Sequence, residues 1–178
     1  MATTKWALDL AHSEIQFKVK HMMITTVTGG FDKFDATVKT EGEDFSTANI
    51  SFEAETASVN TGAADRDKHL RSSDFFDAEK FPIMKFEATE FKPTGDNGDY
   101  ELKGNLTIKD TTKPVKLDVE FGGIGKDPWG NTKAGFTLSG KISRKDWGLT
   151  WNAALETGGV LVSDEVKLLG EIQLMKAS

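Results

Sequence analysis

The chain has 178 residues, no cysteine and a formal net charge of −6. The lack of cysteine excludes disulfides, thiol nucleophiles and cysteine-ligated metal sites. The acidic balance argues against a general nucleic-acid binder, because such a protein needs a basic surface. Apolar residues make up 38% and charged residues 28% of the chain, as in an ordinary globular protein, and a single domain over residues 1–178 is predicted.

The first ten residues lack the apolar core of a secretory signal peptide. No apolar run approaches the roughly 18 residues that are needed to span a bilayer. We therefore expect no membrane span and, for the sequence as written, a cytoplasmic protein. A mature periplasmic protein that had been given a new initiator methionine would have the same N-terminal sequence, so a periplasmic location stays open.

Most of the chain alternates apolar and polar residues, which is the pattern of a half-buried strand. The alternation begins after His12, and its apolar lines run, in chain order, over Ile15–Val19, Phe34–Val38, Ile50–Ala54, Met84–Ala88, Tyr100–Ile108, Val115–Phe121, Phe136–Ile142 and Val166–Leu174. A turn or bulge is predicted at Thr28-Gly29-Gly30, turns from Gly42 to Ser46 and from Pro93 to Gly98, and a longer loop from Gly122 to Asn131. An all-β fold follows: eight antiparallel strands are enough to close a barrel, and a sandwich is the alternative.

The stretch from Ala64 to Pro82 is the one long segment without this alternation. Asp67 and Arg71 stand four apart, in the order that favours an ion pair on a helix. Ser73 followed by Asp74 offers the cap and the first-turn acid of a second short helix. We predict two short helical pieces between the third and fourth long strands, covering one end of the sheet. Such a cap could close an apolar cavity and meet a charged head group, or simply pair its charges internally.

The side chains on the predicted inner face are not all large. Six apolar lines each include one small residue, namely Ala36, Ala54, Ala88, Gly104, Gly140 and Gly170. Because a solid core is packed to near-crystal density, these residues could leave a tunnel. Alternatively, strand glycines relieve crowding where a closing sheet coils. Both interpretations stay open, and the walls of a tunnel would come from Phe17, Phe34, Phe52, Phe86 and Phe136.

The sequence has no motif for an activated nucleophile, for phosphate binding or for dinucleotide binding. Its three histidines, His12, His21 and His69, lack the spacing of a zinc site, and a hydrogen-bonded structural role is the simpler interpretation. We therefore predict neither a catalytic residue nor a metal ligand nor a cofactor, and the residues do not indicate an enzyme.

A specific combination of motifs extends over nearly the whole chain. Its main parts are Trp6-x-Leu8-Asp9-x-x-His12-Ser13-x-Ile15-x-Phe17-x-Val19-x-His21, Arg66-Asp67-x-His69-Leu70-Arg71, Phe81-Pro82-x-Met84-x-Phe86 and Arg144-x-Asp146-Trp147-Gly148-Leu149-x-Trp151. Together they resemble the YceI-like family of lipid- and polyisoprenoid-binding proteins. The resemblance implies a lipocalin-like, eight-stranded antiparallel barrel with a helical cap, and a homodimer. It also implies a long apolar pore that holds an isoprenoid chain, such as a polyprenyl lipid or a quinone precursor.

On this interpretation the protein is a non-catalytic carrier or store of a long isoprenoid lipid. The candidate ligand-binding residues are Phe17, Val19, His21, Phe34, Phe52, Arg66, His69, Leu70, Phe75, Phe76, Phe86, Leu106, Phe136, Leu138, Trp147 and Trp151. A phosphorylated head group would meet the cations Arg66, Lys68, His69 and Arg71 on the cap, with His21 at its strand end. Two rival functions stay open. One is an enzyme acting on an isoprenoid or quinone, with His21 or His69 as acid–base group, and the other is a stress-related protein with an incidental pore.

Overall fold

The computed structural model describes residues 2–22, 24–95, 98–152 and 162–177. Most of them lie in strands, together with one α-helix, α1 (Ala64–Arg71), and short 3-10 turns. The strands are, in chain order, β1 (Thr3–Leu8), β2 (Glu14–His21), β3 (Thr25–Phe31), β4 (Phe34–Glu41), β5 (Asp44–Glu55), β6 (Val59–Asn60), β7 (Ile83–Pro93), β8 (Asp99–Ile108), β9 (Thr111–Lys126), β10 (Thr132–Ser143) and β11 (Val162–Lys176). In this described part of the chain, no helix has the length and apolar character to cross a membrane.

The sheet closes into a barrel of eight long antiparallel strands. β1 and β2 are two halves of one long strand that is interrupted by a 3-10 turn at Leu10–His12, and β3 and β4 are the halves of the next. The ring then continues through β5, β7, β8, β9, β10 and β11, which pairs back onto both β1 and β2. α1 lies between β5 and β7. The predicted barrel, with a helical cap between the third and fourth long strands, is confirmed.

Strand β8 shows why these sequences form a barrel wall. Leu102, Leu106 and Ile108 are buried, whereas the intervening Lys103 and Asn105 face outward and are less buried or exposed. Full burial of one such apolar side chain contributes roughly 1.5–3 kcal/mol relative to leaving it exposed. Because successive side chains of a strand point to opposite faces, the alternation fixes which face is inside.

The structure departs from the sequence prediction in the segment after α1. Residues 72–80 form consecutive turns rather than a second helical piece. The Ala78 N–H donates to the Arg71 carbonyl at 2.9 Å, and the Phe81 N–H donates to the Asp77 carbonyl at 2.8 Å. Asp77 has a φ of 49°, in the left-handed region, which interrupts any helix at this point.

Two predicted connections are also corrected. Gly29 and Gly30 lie inside β3, not in a turn. A Cβ at Gly29 would lie 2.5 Å from the tip of the Phe17 ring, so glycine is required there by a close approach between strands. The segment from Gly122 to Lys126 continues β9 and pairs with β10, which shortens the predicted loop to residues 127–131.

Candidate functional site

The barrel encloses a cavity of about 530 Å³, a volume typical of small-molecule sites. Inward-facing side chains of strands all around the barrel line it, and helix α1 with the following turns closes over it. The lining is apolar along most of its length. Its aromatic members are Phe17, Phe31, Phe45, Phe52, Phe75, Phe76, Phe86, Phe91, Phe136 and Trp151.

Fourteen of the sixteen predicted ligand-binding residues line this cavity. They are Phe17, Val19, His21, Phe52, Arg66, His69, Leu70, Phe75, Phe76, Phe86, Leu106, Phe136, Leu138 and Trp151. Eight of them lie in strands, and the other six lie in α1, in the turns after it and after the 3-10 turn at Arg144–Trp147, so the barrel brings together side chains from distant parts of the sequence. That they contact a ligand stays a prediction.

Phe34 and Trp147 are not part of the lining, which corrects their assignment. The Phe34 ring packs against Phe52 with 5.9 Å between centroids. Trp147 is buried, and its indole N–H donates to the Leu106 carbonyl at 2.8 Å. A buried indole needs such a partner. Both residues therefore pack within the barrel wall and do not line the cavity.

One end of the cavity is filled by aromatic side chains. The Phe45 ring packs against Trp6, Phe121 and Phe136, with centroids 4.9, 5.5 and 5.0 Å away. Phe91 completes this cluster from β7, and the indole N–H of the buried Trp6 is satisfied by a hydrogen bond to a threonine hydroxyl. These rings narrow the cavity at this end, and Phe45, Phe91 and Phe136 belong to its lining.

The polar residues of the lining gather near α1, apart from Gln16 on β2. They are Lys20, His21, Thr61, Asp65, Arg66, His69 and Arg144. Contacts connect them into one end of the barrel: the His69 ring meets Trp151 edge-on at 4.5 Å, Arg144 donates to the Trp151 carbonyl, and Val162 pairs with His21. This end is the mouth of the cavity, where an otherwise apolar ligand would carry its polar group.

Helix α1 is held to the barrel by Asp67, which is buried. Its carboxylate accepts hydrogen bonds from both the N–H and the hydroxyl of Thr61. The predicted helix-surface pair of Asp67 with Arg71 is therefore wrong, because the carboxylate faces the barrel. Arg66 also contacts Thr61, donating to its hydroxyl and its carbonyl at 2.7 Å each. Thr61, which sequence reasoning did not single out, thus makes the hydrogen bonds that hold Asp67 and Arg66 of α1 in place.

The cations of the cap do not all reach the cavity. Arg66 and His69 belong to its lining, whereas Lys68 and Arg71 do not. His69 Nε2 lies 2.9 Å from a carboxylate oxygen of Asp74, and its ring packs edge-on against Phe75. Of the five predicted head-group residues, the geometry therefore favours Arg66, His69 and His21.

Arg144 is a further residue of the mouth to which sequence reasoning gave no role. It is buried, and its guanidinium donates to the carbonyls of Leu149, Trp151 and Ser163, at 2.5, 2.9 and 2.8 Å. Burial lowers the pKa of Arg144, and the nearby Asp164 carboxylate opposes this shift. The planar guanidinium of arginine can donate to several carbonyls at once. Arg144 therefore holds the backbone at two lining residues, Leu149 and Trp151, in place.

The polar side chains of the described residues do not form a group of three or more that could hold a metal ion. His12 lies outside the cavity lining, with its Nδ1 2.8 Å from an Asp9 carboxylate oxygen. The site therefore has the composition of an apolar container with a polar mouth.

The family model of the YceI-like domain matches residues 6–174. The chain belongs to the YceI-like family. Among its YceI-like relatives, a UPF0312 protein of Staphylococcus aureus is 39% identical over 165 residues, which cover 92% of this chain and 93% of the relative. A UPF0312 protein of Pectobacterium atrosepticum is 43% identical over 149 residues, covering 84% of this chain and 77% of the relative.

Solved structures show the same YceI-like barrel. Burkholderia cenocepacia BcnA superposes with a TM-score of 0.80 at 25% identity, covering 93% of this chain and 98% of BcnA. The YceI protein of Campylobacter jejuni gives 0.77 at 32% identity, covering 89% and 90% of the two chains. A polyisoprenoid-binding domain from Saccharophagus degradans gives 0.66 at 15% identity, covering 97% and 98%, and shares the fold. The resemblance to the family that the motifs indicated is confirmed.

Proposed function

We propose that this YceI-like protein binds one long isoprenoid lipid in its cavity and carries or stores it without changing it chemically. The observation that carries the proposal is the apolar cavity of about 530 Å³ whose polar residues are concentrated at the mouth. An isoprenoid tail offers no hydrogen-bonding group, so its affinity must come from buried apolar area, at about 25 cal/mol per Å². The fold shared with a polyisoprenoid-binding domain supports the same ligand class.

The mouth would hold the polar group of the ligand. Arg66 uses two of its N–H directions on Thr61, which orients the guanidinium beside the cavity. His69 is fixed between Asp74, Phe75 and Trp151. Preorganised donors of this kind suit a quinone carbonyl or a phosphate oxygen. In this proposal they orient the ligand, and the apolar walls supply most of the binding free energy.

A narrowing of the cavity tests the proposal. Ala36 lines the cavity, and its neighbour Thr37 on β4 is exposed. We expect Ala36→Phe to weaken binding of a long polyprenyl chain at least tenfold, because the new ring occupies the path of the tail, and to affect a short prenyl chain less. Binding is measured by fluorescence titration across a series of tail lengths.

Thr37→Phe is the matched control, since it adds the same ring to the outer face of the same strand. It should leave every affinity unchanged. Equal affinity of Ala36→Phe and the parent protein for the longest chain would contradict binding inside the barrel.

A carrier and an enzyme predict different effects at the histidines of the mouth. For a carrier, His21→Ala and His69→Ala leave most of the tail affinity in place. Loss of a chemical turnover with retained binding would favour the rival enzyme instead.

The homodimer that the family resemblance implies is also part of the proposal, and light scattering measures it.

A further inference from the structure

The β2–β3 hairpin, residues 14–31, places exposed apolar side chains at the mouth of the cavity. Met22 and Ile24 in its turn are 41% and 74% exposed. The Ile24 N–H donates to the His21 carbonyl at 3.2 Å, which closes the turn. Val19, His21 and Val27 of the same hairpin line the cavity, so the apolar turn lies beside the entrance.

The residue types of this turn are not those that a hairpin needs for folding. Met22 has a φ of 55°, in the left-handed region that glycine, asparagine and aspartate adopt most easily. Tight hairpin turns favour those residues at such positions. Methionine here is conformationally unfavourable and leaves apolar surface in water. Contact of the Met22 side chain with an apolar phase would explain why an apolar residue occupies this position despite its unfavourable backbone conformation.

The charge of the hairpin is opposite to that of the whole protein. β2 begins with Glu14, at the end of the hairpin away from the turn, and the remaining residues, 15–31, contain Lys18 and Lys20 but no aspartate or glutamate, in a chain with a net charge of −6. Lys18 lies directly across from Lys167 of β11, although like charges facing each other across a sheet repel. Within the described ranges, none of these three lysines has a carboxylate within ion-pair distance.

The acidic residues of the adjoining strand do not neutralise this surface. Asp164 lies 3.2 Å from Lys145, and Glu165 lies 4.0 Å from Lys141. Their charges are therefore compensated by other lysines. Among the described residues, the three lysines of β2 and β11 therefore have no carboxylate partner beside the apolar turn.

We propose that the β2–β3 hairpin docks this protein on an anionic lipid bilayer. The side chains of Met22 and Ile24 enter the interfacial layer, and Lys18, Lys20 and Lys167 contact acidic lipid head groups. The mouth then opens towards the lipid phase. This inference rests on the proposed function, because an isoprenoid with negligible solubility in water has to enter and leave the cavity through a membrane surface.

The opposite end of the barrel supplies an internal comparison. Val162 of β11 pairs with His21, whereas Met175 pairs with Lys133, so the turn at residues 127–131 lies roughly 40 Å away along β11. Trp129 in that turn is 83% exposed. It is a larger exposed apolar side chain than either turn residue of the hairpin, yet it is far from the mouth.

Vesicle co-sedimentation of the whole protein tests the proposal. The vesicles are phosphatidylcholine with or without phosphatidylglycerol, and binding is measured at low and high salt. We expect binding only when phosphatidylglycerol is present, weakening as salt rises. Met22→Asn combined with Ile24→Thr should reduce it at least tenfold. Lys18→Gln and Lys20→Gln should each reduce it about fivefold, the effect expected for one lysine near an anionic surface.

Trp129→Ser is the matched control and should leave vesicle binding unchanged. Asparagine suits the left-handed position, so the double turn variant should keep the parent melting temperature. Equal vesicle binding by the parent and the turn variant would overturn the proposal. So would a turn-dependent dimer that ignores vesicles, because the apolar turn would then contact a second copy of this chain.

The docking surface and the carrier function can be tested separately. A protein that takes up a prenyl lipid from detergent solution but does not sediment with anionic vesicles would overturn the docking surface and leave the proposed function standing. Turn-dependent vesicle binding by a protein whose cavity accepts no prenyl lipid would support the docking surface and contradict the carrier.

Discussion

Asp9 lies between β1 and β2 and joins the first long strand of the barrel to β10 and β11. One of its carboxylate oxygens lies 2.6 Å from Lys133 Nζ on β10 and accepts a further hydrogen bond from the Gln173 side chain at 3.2 Å. Lys133, and to a smaller degree His12, lower the pKa of Asp9 from 3.8 to about 2. The ionised form is therefore favoured by folding.

This shift predicts the direction of a pH effect on stability. A carboxyl whose pKa is depressed in the folded protein contributes fully above its unfolded value, near pH 4, and the contribution is lost as the pH falls towards about 2. We expect Asp9→Asn to lower the free energy of unfolding at pH 7 by about 1 kcal/mol, allowing for solvent screening. The difference from the parent should disappear by about pH 2, as measured by urea denaturation across pH.

Lys133→Met removes the partner and keeps the length of the side chain. It should reproduce the same pH profile. A difference between the parent and Asp9→Asn that stayed constant from neutral to acid pH would show that the ion pair does not stabilise the fold.

The small residues of the inner face had two interpretations from sequence, and the structure distinguishes them. A Cβ at Gly104 would lie 2.5 Å from the Phe86 ring and from the Glu87 carbonyl, and one at Gly140 would clash with Leu117. Of the six small residues, only Ala36 lines the cavity. The strand glycines therefore relieve crowding between neighbouring strands. Sequence alone could not decide this, because the residue that occupies the space belongs to another strand.

At the scale of elements, the mouth depends on how its irregular segments are attached. The 3-10 turn at Arg144–Trp147 follows β10 and carries the arginine whose guanidinium donates to the carbonyls of Trp151 and Val162. One buried side chain thus joins the backbone at Leu149 and Trp151 to the start of β11.

Arg144→Lys tests this attachment. Lysine keeps the positive charge but cannot donate to carbonyls in several directions at once. We expect the free energy of unfolding to fall by about 2–3 kcal/mol, since buried acceptors lose their partners, and a bound prenyl lipid to dissociate faster because Leu149 and Trp151 are no longer held. Urea denaturation and a lipid-transfer assay measure the two effects.

Lys145→Ala is the control for that experiment. Lys145 is the exposed neighbour and pairs with Asp164 at 3.2 Å. Such a surface pair contributes within about 0.5 kcal/mol, so both readouts should stay close to the parent. A lysine variant of Arg144 as stable as this control would show that the carbonyl contacts do not fix the mouth.

Two β-bulges explain which lining residues the sequence did not reveal. Between the pairs Lys39–Asn49 and Glu41–Asp44, four residues of β5 stand opposite one of β4, and between Ala88–Gly104 and Glu90–Lys103 β7 has one extra residue. An odd number of extra residues in a strand reverses the faces of everything beyond it. Phe45 and Phe91 therefore point inward, against the alternation read from Ile50–Ala54 and Met84–Ala88, and they help to fill the end of the cavity away from the mouth.

At the scale of the whole molecule, the barrel was predictable because its signal is repeated. Eight segments alternate in the same way, and one segment without alternation follows the third, so a local error at Gly29-Gly30 or in residues 72–80 did not alter the architecture. The motifs added the family. The shape of the cavity was not predictable, since it depends on bulges and on contacts such as that of Asp67 with Thr61, which pair residues by geometry rather than by sequence pattern.

The barrel contains an apolar cavity with a polar mouth, and the proposed ligand of that cavity is an isoprenoid lipid. The direct measurement is native mass spectrometry, with organic extraction, of the protein purified from its own host. We predict a bound species whose mass series is spaced by isoprene units, one per protein chain, with a head group that the same spectra identify. A protein that is empty on purification and stays empty after incubation with prenyl lipids would contradict the claim.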